Sequence, residues 1–110
     1  MRRGQGSESL ARRVYAAPSR IHGQGCFARV PFTGGERIGT FEGTQVSEDG
    51  THVLWVFDAE SGETVGRRGD NLLRWLNHSD DPNAEFDGFE LYARRVIAPD
   101  EEITIDYQSG

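Results

Sequence analysis

Hydrophobic and polar positions alternate over short runs separated by glycines, and this pattern predicts strands more than long helices. Alternation places one row of side chains on a buried face and the other row in solvent. Ser61-Gly62 is a turn signal that predicts a hairpin between the run at 51–58 and residues 63–66. Together with that hairpin, strands are predicted at residues 13–17, 25–30 and 36–42.

One segment has a helical pattern. Residues 71–76 (NLLRWL) carry apolar side chains at four positions, and Asp70 or Asn71 is a suitable N-terminal cap. A helix of about two turns is not stable alone, so packing must hold it.

The remaining pattern is again β. Asp87-Gly88 lies between two alternating runs and predicts a second hairpin. The segment EITIDY at residues 102–107 predicts a strand with Ile103 and Ile105 on one face and Thr104 and Asp106 on the other. The fold class predicted from pattern alone is therefore mainly β, with one or two short helices.

Composition sets the size and class of the protein. A chain of 110 residues is one domain's worth, and its 14 glycines fit many tight turns. We expect a flexible polar arm at residues 1–11 and a single domain at 12–110. The arm lacks the apolar centre of a secretory signal, and no apolar run is long enough to span a membrane.

Cysteine and charge narrow the class further. Cys26 is the only cysteine, which excludes a disulfide within the chain and a thiolate-rich zinc site. A reducing cytoplasmic location is the default expectation. All twelve basic residues are arginine, which fits a GC-rich and hence bacterial source, and secretion as an effector stays open. The absence of lysine has a second possible explanation, since an enzyme that modifies lysines would then avoid modifying itself.

The net charge of −6 is unevenly distributed. Residues 1–37 carry seven arginines against Glu8 and Glu36, whereas residues 38–110 carry five arginines against sixteen acidic residues. An acidic body suits a basic partner and repels nucleic acid, so we expect no direct nucleic-acid binding. The alternative is that the acidic surface only maintains solubility.

Three polar segments interrupt the strand pattern, at residues 19–28, 75–83 and 100–107. The glycines of the first let a backbone approach a ligand closely, although Gly-x-Gly is more often a simple turn. It lacks the strand and helix context of a dinucleotide-binding motif. The Asn-His pair in the second segment is less well explained as a turn. Tyr107 at the end of the third is a core plug or faces a site.

A metal site and a serine nucleophile are not predicted. The three histidines, His22, His52 and His78, are scattered and show no helical zinc spacing. Ser79 follows His78 directly, and adjacent side chains diverge, so the two do not form a nucleophile and its base. We therefore expect no metal.

The three segments, read in order as SRIHGQGCFA, RWLNHSDDPN and DEEITIDY, resemble the signature blocks of the SET-domain lysine methyltransferases. The resemblance covers residues 12–107. It implies the SET (β-clip) fold of small curved sheets, in which the C-terminal segment threads through a pseudoknot-like crossing. That crossing would bring Asn77-His78 to Asp106-Tyr107.

The resemblance also implies site roles. S-adenosylmethionine would be the methyl donor, and a neutral lysine amine of a basic protein would receive the methyl group. Tyr107 would be the catalytic residue, orienting amine and methyl group in line. The residues implied for cofactor binding are His22, Gly23, Gln24, Gly25, Asn77, His78 and Tyr107. Those implied for the lysine channel are Phe41, Phe86 and Tyr107. With phenylalanine where tyrosine is common, we predict di- or trimethylation.

The sequence departs from the family pattern at several points. Asp80 stands where many members have a zinc-binding cysteine, and Asp100-Glu101-Glu102 replaces Gly-Glu-Glu. The sequence ends three residues after Tyr107, so the usual C-terminal lid is not expected within it. A partner chain in a homodimer, the N-terminal arm or the substrate would then complete the site. Two alternatives stay open: a catalytically weak SET-fold module that binds cofactor or peptide, and a methyltransferase for a small molecule or a non-lysine side chain.

Overall fold

The structure is a computed structural model that describes residues 5–107, with side chains described for residues 9–107. One α-helix, α1 (Gln5–Arg13), and one 3₁₀ helix (Leu72–Trp75) accompany ten strands within this range. The strands are β1 (Val14–Pro18), β2 (Gln24–Ala28), β3 (Arg37–Thr40), β4 (Gly43–Val46), β5 (Val53–Asp58), β6 (Glu63–Gly69), β7 (Asn77–His78), β8 (Ala84–Asp87), β9 (Glu90–Ala93) and β10 (Glu102–Ile105). The mainly β prediction is confirmed.

The strands form three small sheets. Their orders are β1-β2-β10-β7, β3-β9-β8 and β4-β6-β5. The last strand, β10, lies between two earlier ones, antiparallel to β2 and parallel to β7. Thr104 is opposite Asn77 and Ile105 is opposite His78 in the parallel pair. The C-terminal strand is therefore inserted between two strands from earlier in the chain, β2 and β7, as the predicted crossing requires.

Both predicted hairpins are present. Asp58 pairs with Glu63 across a turn in which Gly62 has a φ of 76°. Asp87 pairs with Glu90 across a turn in which Gly88 has a φ of 64°. Glycine adopts this left-handed backbone without the steric cost that a side chain imposes, so these local signals sufficed.

Two short strands, β4 and β7, were missed and one helix differs in type. β4 has exposed positions along most of its length and no hydrophobic alternation to reveal it. The predicted helix at residues 71–76 is a 3₁₀ turn, and the side chain of Asn71 caps it by accepting a bond from the Leu73 N–H at 3.3 Å. Leu73 and Leu76 are buried, so packing holds the turn as expected.

The segment predicted as an arm, residues 1–11, is helical over the part that the structure describes. Residues 1–4 lie outside the described range, but α1 is helical from Gln5 and its Leu10 is only 3% exposed. Leu10 packs over Gly39, where an added Cβ would lie 2.8 Å from Leu10 Cδ1. Leu10 therefore packs against β3, while the predicted boundary between arm and domain stays a prediction.

The core lies among the three sheets and includes both β10 isoleucines, as predicted. Thr104 was expected on the polar face, yet it is also buried, at 7% exposure. Its N–H donates to Asn83 Oδ1 at 2.9 Å, and the Asn83 amide donates to the Glu102 carbonyl at 2.8 Å. A buried asparagine thus supplies the partners that let a polar face enter the core. Within residues 5–107, neither helix has the length and apolar character needed to cross a membrane.

Candidate functional site

Hydrogen bonds of Ser19 stabilise the loop before β2. The Ser19 N–H donates to the Gly23 carbonyl at 2.7 Å, and Ser19 Oγ accepts from the Ile21 N–H at 2.9 Å. Gly23 has a φ of 46°, and an added Cβ there would have no heavy atom within 4 Å. The loop therefore turns tightly and presents backbone to open space, as the first polar segment predicted.

Asn77 joins this loop to the C-terminal strand. Its amide nitrogen lies 3.0 Å from the His22 carbonyl and 3.1 Å from the Gln24 carbonyl. The same nitrogen lies 2.9 Å from Glu102 Oε2. The structure thus brings together the predicted cofactor residues at 22–25 and Asn77, although more than fifty positions separate them in the chain.

Glu102 is a site residue that the sequence reasoning missed. Its carboxylate accepts from Ser19 Oγ at 2.9 and 2.8 Å, as well as from Asn77. Gly25 makes room for it, because a Cβ on Gly25 would lie 2.4 Å from Glu102 Oε2. The strand alternation that places Thr104 opposite the isoleucine face also places Glu102 there, so that signal was available.

His78 and Tyr107 form the second joint between the segments. Their rings are stacked, with centroids 6.2 Å apart and an angle of 15° between planes. The Tyr107 N–H donates to His78 Nδ1 at 3.2 Å, so the neutral ring carries its proton on Nε2. That nitrogen lies 2.9 Å from Asp80 Oδ1, and Asp106 Oδ1 lies 3.6 Å from Nδ1. Asp80 therefore acts here as a partner of His78.

The hydroxyl of Tyr107 points inward. The side chain as a whole is 56% exposed, but its hydroxyl donates a short hydrogen bond to the Leu76 carbonyl. Partial burial of the hydroxyl raises the pKa of Tyr107 above its ordinary value. The group is therefore a neutral phenol at physiological pH. It can accept a hydrogen bond while donating one, but it is not an anionic base.

A cavity of about 230 Å³ brings together the predicted channel residues Phe41, Phe86 and Tyr107. The two phenylalanine rings meet edge to face, with centroids 5.8 Å apart. Leu73, Leu76 and Ile105 add further apolar wall. His52 and Arg74 also line this cavity, and neither was predicted as a site residue. His52 was missed because it lies outside the three polar segments, and Arg74 because it lies within the apolar helix pattern at residues 71–76.

A larger groove of about 640 Å³ adjoins the cavity and shares five residues with it: Val53, Leu54, Phe86, Ile105 and Tyr107. One wall is β5, an edge strand of its sheet. The charged side chains that line the groove are Asp49, Glu85, Asp106 and Arg94. Bonds from the Trp55 indole N–H and the Gly50 N–H lower the pKa of Asp49. The groove is therefore acidic on balance.

Within residues 5–107, no group of three or more histidine, cysteine or acidic side chains comes together as a metal site would require. The expectation that the protein uses no metal stays a prediction, because this observation concerns the arrangement of these side chains alone.

The fold, the threaded β10 and the joined segments define a SET-type domain. The family model for the SET domain matches residues 23–108, and the chain belongs to this family. No curated protein sequence matches the chain significantly.

Solved structures share the fold at low sequence identity. The methyltransferase domain of human PR domain-containing protein 2 is 19% identical with a TM-score of 0.71, and the match covers 94% of this chain and 82% of that one. The Neurospora histone lysine methyltransferase DIM-5 is 17% identical with a TM-score of 0.69, covering 91% and 55%. The methyltransferase domain of human histone-lysine N-methyltransferase SETMAR is 18% identical with a TM-score of 0.72, covering 86% and 44%. Family and fold together support a methyltransferase-type function.

Proposed function

We propose that this protein transfers methyl groups from S-adenosylmethionine to lysine side chains of a basic protein partner. One observation carries the proposal. The Tyr107 hydroxyl and the Leu76 carbonyl meet at a cavity that combines apolar side chains with His52 and Arg74, and some of its wall residues continue into an acidic groove. The residue after Leu76 is Asn77, which holds the loop at residues 22–25.

The residues around Asn77 fit the amino-acid end of the methyl donor. The His22 and Gln24 carbonyls each have a second lone pair besides the one that Asn77 uses, and the Glu102 carboxylate lies beside them. These oxygens suit an ammonium group. Arg74 lines the neighbouring cavity, where its Nη1 donates to the Asp70 and Asn71 carbonyls, and its remaining N–H groups suit a carboxylate. S-adenosylmethionine, when bound, supplies an electrophilic methyl group on a sulfonium.

The cavity residues act on the lysine amine by position and environment. Phe41 and Phe86 keep water out, and an apolar wall disfavours the charged ammonium, so it favours the neutral amine that displacement requires. The Tyr107 oxygen and the Leu76 carbonyl oxygen hold the amine in line with the methyl group. Because Tyr107 stays neutral, its contribution is alignment and not proton removal.

The groove supports a basic substrate. Three carboxylates and one arginine line it, so a peptide rich in lysine and arginine is electrostatically complementary. The groove adjoins the cavity, so a chain that lies in the groove can direct one side chain inward.

The test is methyl transfer from labelled S-adenosylmethionine to histones or other basic proteins, with the modified residue identified by mass spectrometry. Tyr107→Phe removes the hydroxyl and is expected to lower kcat about 100-fold. Tyr92→Phe is the matched control, since Tyr92 lies on β9, away from the cavity walls.

The outcomes separate the candidate functions. Label on lysine that is lost in Tyr107→Phe and retained in Tyr92→Phe supports the proposal. Binding of S-adenosylmethionine by calorimetry without transfer to any protein supports a cofactor-binding module instead. Label on another side chain or on a small molecule would replace lysine as the acceptor.

A further inference from the structure

We propose that Arg67 is a positioning residue that sets the shape of the cavity by fixing Phe41. This inference rests on the proposed function for its kinetic consequence, but the contacts that carry it are independent of that function. Arg67 lies on β6, in the sheet β4-β6-β5, whereas Phe41 follows β3 in the sheet β3-β9-β8.

Three contacts form a closed set around Phe41. Arg67 Nη1 donates to the Phe41 carbonyl at 2.8 Å, and the Arg67 guanidinium carbon lies 3.8 Å from the centroid of the Phe89 ring. The Phe41 N–H in turn donates to the Phe89 carbonyl at 2.7 Å. Both backbone polar groups of Phe41 are therefore held, and Arg67 contacts both of the phenylalanines involved.

The same strand also holds the ring of Phe41. Gly69 lies two residues after Arg67, on the same face of β6. A Cβ on Gly69 would lie 2.4 Å from Phe41 Cζ and 2.9 Å from Cε1. The ring therefore packs directly against the strand that binds its backbone.

The clamp joins two of the three sheets that contribute residues to the cavity. Phe86 lies on β8 and Phe41 directly follows β3, in the sheet β3-β9-β8. Val53 and Leu54 lie on β5, in the sheet β4-β6-β5. Arg67 is paired with Leu54 across β5 and β6. It therefore links Leu54 on β5 to the backbone of Phe41, and both of these residues line the cavity. Loss of the clamp allows the two sheets to separate or shift.

Arginine is suited to this role where lysine is not. Its planar guanidinium can stack on the Phe89 ring and donate to a carbonyl at the same time. The adjacent residue, Arg68, provides a matched control. It is exposed and, by strand alternation, points to the opposite face of β6.

The experiment compares Arg67→Lys and Arg67→Met with Arg68→Met. For each variant we would measure kcat, KM for a basic protein, the affinity for S-adenosylmethionine and the ratio of mono- to di- and trimethyl-lysine. Both Arg67 variants are expected to lose about tenfold or more in kcat and to change the product ratio. Their affinity for S-adenosylmethionine should stay within about twofold of wild type. Arg68→Met should match wild type in every measurement.

A second readout needs no turnover. Spectra of protein labelled with ¹³C-phenylalanine, with the Phe41 signal assigned from Phe41→Leu, report the environment and mobility of that ring. The Phe41 signal should shift or broaden in both Arg67 variants and not in Arg68→Met. An unchanged Phe41 signal in folded Arg67→Met would overturn the inference whether or not the wild type is active. An inactive wild type with the expected spectral change would reject the proposed function alone.

Uniform loss of stability, kcat and cofactor affinity in Arg67→Met, with wild-type product ratios in Arg67→Lys, would also overturn it. That pattern would mean that Arg67 only stabilises the fold.

Discussion

The Tyr107 hydroxyl donates a hydrogen bond to the Leu76 carbonyl, which lies 31 residues earlier in the chain. The two residues meet because β10 pairs with β7, which begins at the residue after Leu76, and the Tyr107 side chain reaches back along that strand to the Leu76 carbonyl. This hydrogen bond fixes two oxygen atoms at the cavity. The threaded topology, rather than any local motif, therefore creates the group that would align a substrate amine.

Titration of Tyr107 follows from this placement. Burial raises its pKa above the ordinary 10.0, so the hydroxyl stays neutral through the range in which the protein would work. In the unfolded chain the phenol ionises near its ordinary value, whereas in the folded protein it ionises only at higher pH. Its contribution to stability is therefore complete below pH 10 and is lost as the pH rises through the raised value.

The measurement is the absorbance titration of phenolate near 295 nm, comparing wild type with Tyr107→Phe. The difference should show a transition above pH 10.0, and kcat should not decline through tyrosine ionisation below that pH. A difference transition centred at or below 10.0 would contradict the assignment.

Gly25→Ala is expected to weaken cofactor binding more than folding. The new Cβ would displace the Glu102 carboxylate, which lies 2.4 Å from that position, and so disturb its bonds to Ser19 and Asn77. The end of a glutamate is flexible and can move aside, so the loss of stability should be small. The affinity for S-adenosylmethionine should fall about tenfold, or 1.4 kcal/mol.

Calorimetric titration with S-adenosylmethionine tests this, with Gly34→Ala as the control. A Cβ on Gly34 would have its nearest neighbour at 3.4 Å, an ordinary contact, so that variant should bind as wild type does. Equal affinity in both variants would show that the Glu102 network does not support the cofactor site.

The parts of the fold that were predictable are those that local chemistry specifies. The hairpin at Asp87-Gly88 needs only a left-handed turn between alternating runs, and that is visible in six or seven residues. Docking of Leu10 was not predictable, because its cavity is created by the absence of a side chain at Gly39. Nothing in the arm's own sequence encodes that fit.

The site divides in the same way. Asn77, His78 and Tyr107 stood out because their residue types are unusual beside apolar elements, and family resemblance supplied their roles. Strand alternation placed Glu102 on the polar face of β10, but a glutamate on a polar face resembles a solvent-exposed residue until the topology brings Asn77 to it. Arg67 was missed for the same reason, because an arginine in a polar strand gives no sign of the Phe41 carbonyl that it binds.

Asn83 should be among the most sensitive positions for stability. It is 2% exposed, its amide donates to the Glu102 carbonyl, and its carbonyl accepts the Thr104 N–H. Asn83→Ala leaves both of these buried backbone groups without partners in the strand that forms the crossing. The free energy of unfolding should fall by about 2–4 kcal/mol.

Urea denaturation measures this, and Gln45→Ala on the exposed strand β4 should change the free energy of unfolding by less than about 0.5 kcal/mol. A loss below 1 kcal/mol in Asn83→Ala would mean that water replaces these bonds.

The acidic groove predicts a specific salt and charge dependence. Neutralising Asp49 and Glu85 together, as Asp49→Asn and Glu85→Gln, should raise KM for a basic protein several-fold and leave kcat near wild type, since both residues line the groove but not the cavity. The increase in KM should shrink at high ionic strength because screening already weakens the attraction.

Steady-state kinetics at low and high salt test this prediction. A double variant with unchanged KM at low salt would show that the substrate does not lie in the groove. The exposed pair Glu60→Gln and Glu63→Gln removes equal charge elsewhere and is the control.

Cavity width should determine how many methyl groups the amine accepts. Phe86 lines the cavity and packs edge to face on Phe41, so Phe86→Tyr adds a hydroxyl to this wall, one that can bond the amine and occupy space. We expect wild type to form di- or trimethyl-lysine and Phe86→Tyr to shift the product toward monomethyl-lysine. Gly69→Ala should have a similar effect for a steric reason, because its new methyl group would press on the Phe41 ring, which is 5% exposed and has little room to move.

Mass spectrometry of a peptide product over time measures the ratio of mono- to di- and trimethyl-lysine. Phe27→Tyr is the control, since its ring stacks on Tyr15 at 5.6 Å, away from the cavity residues. Strict monomethylation by wild type would contradict the inference drawn from Phe41 and Phe86. An unchanged ratio in both Phe86→Tyr and Gly69→Ala would show that this cavity does not receive the lysine side chain.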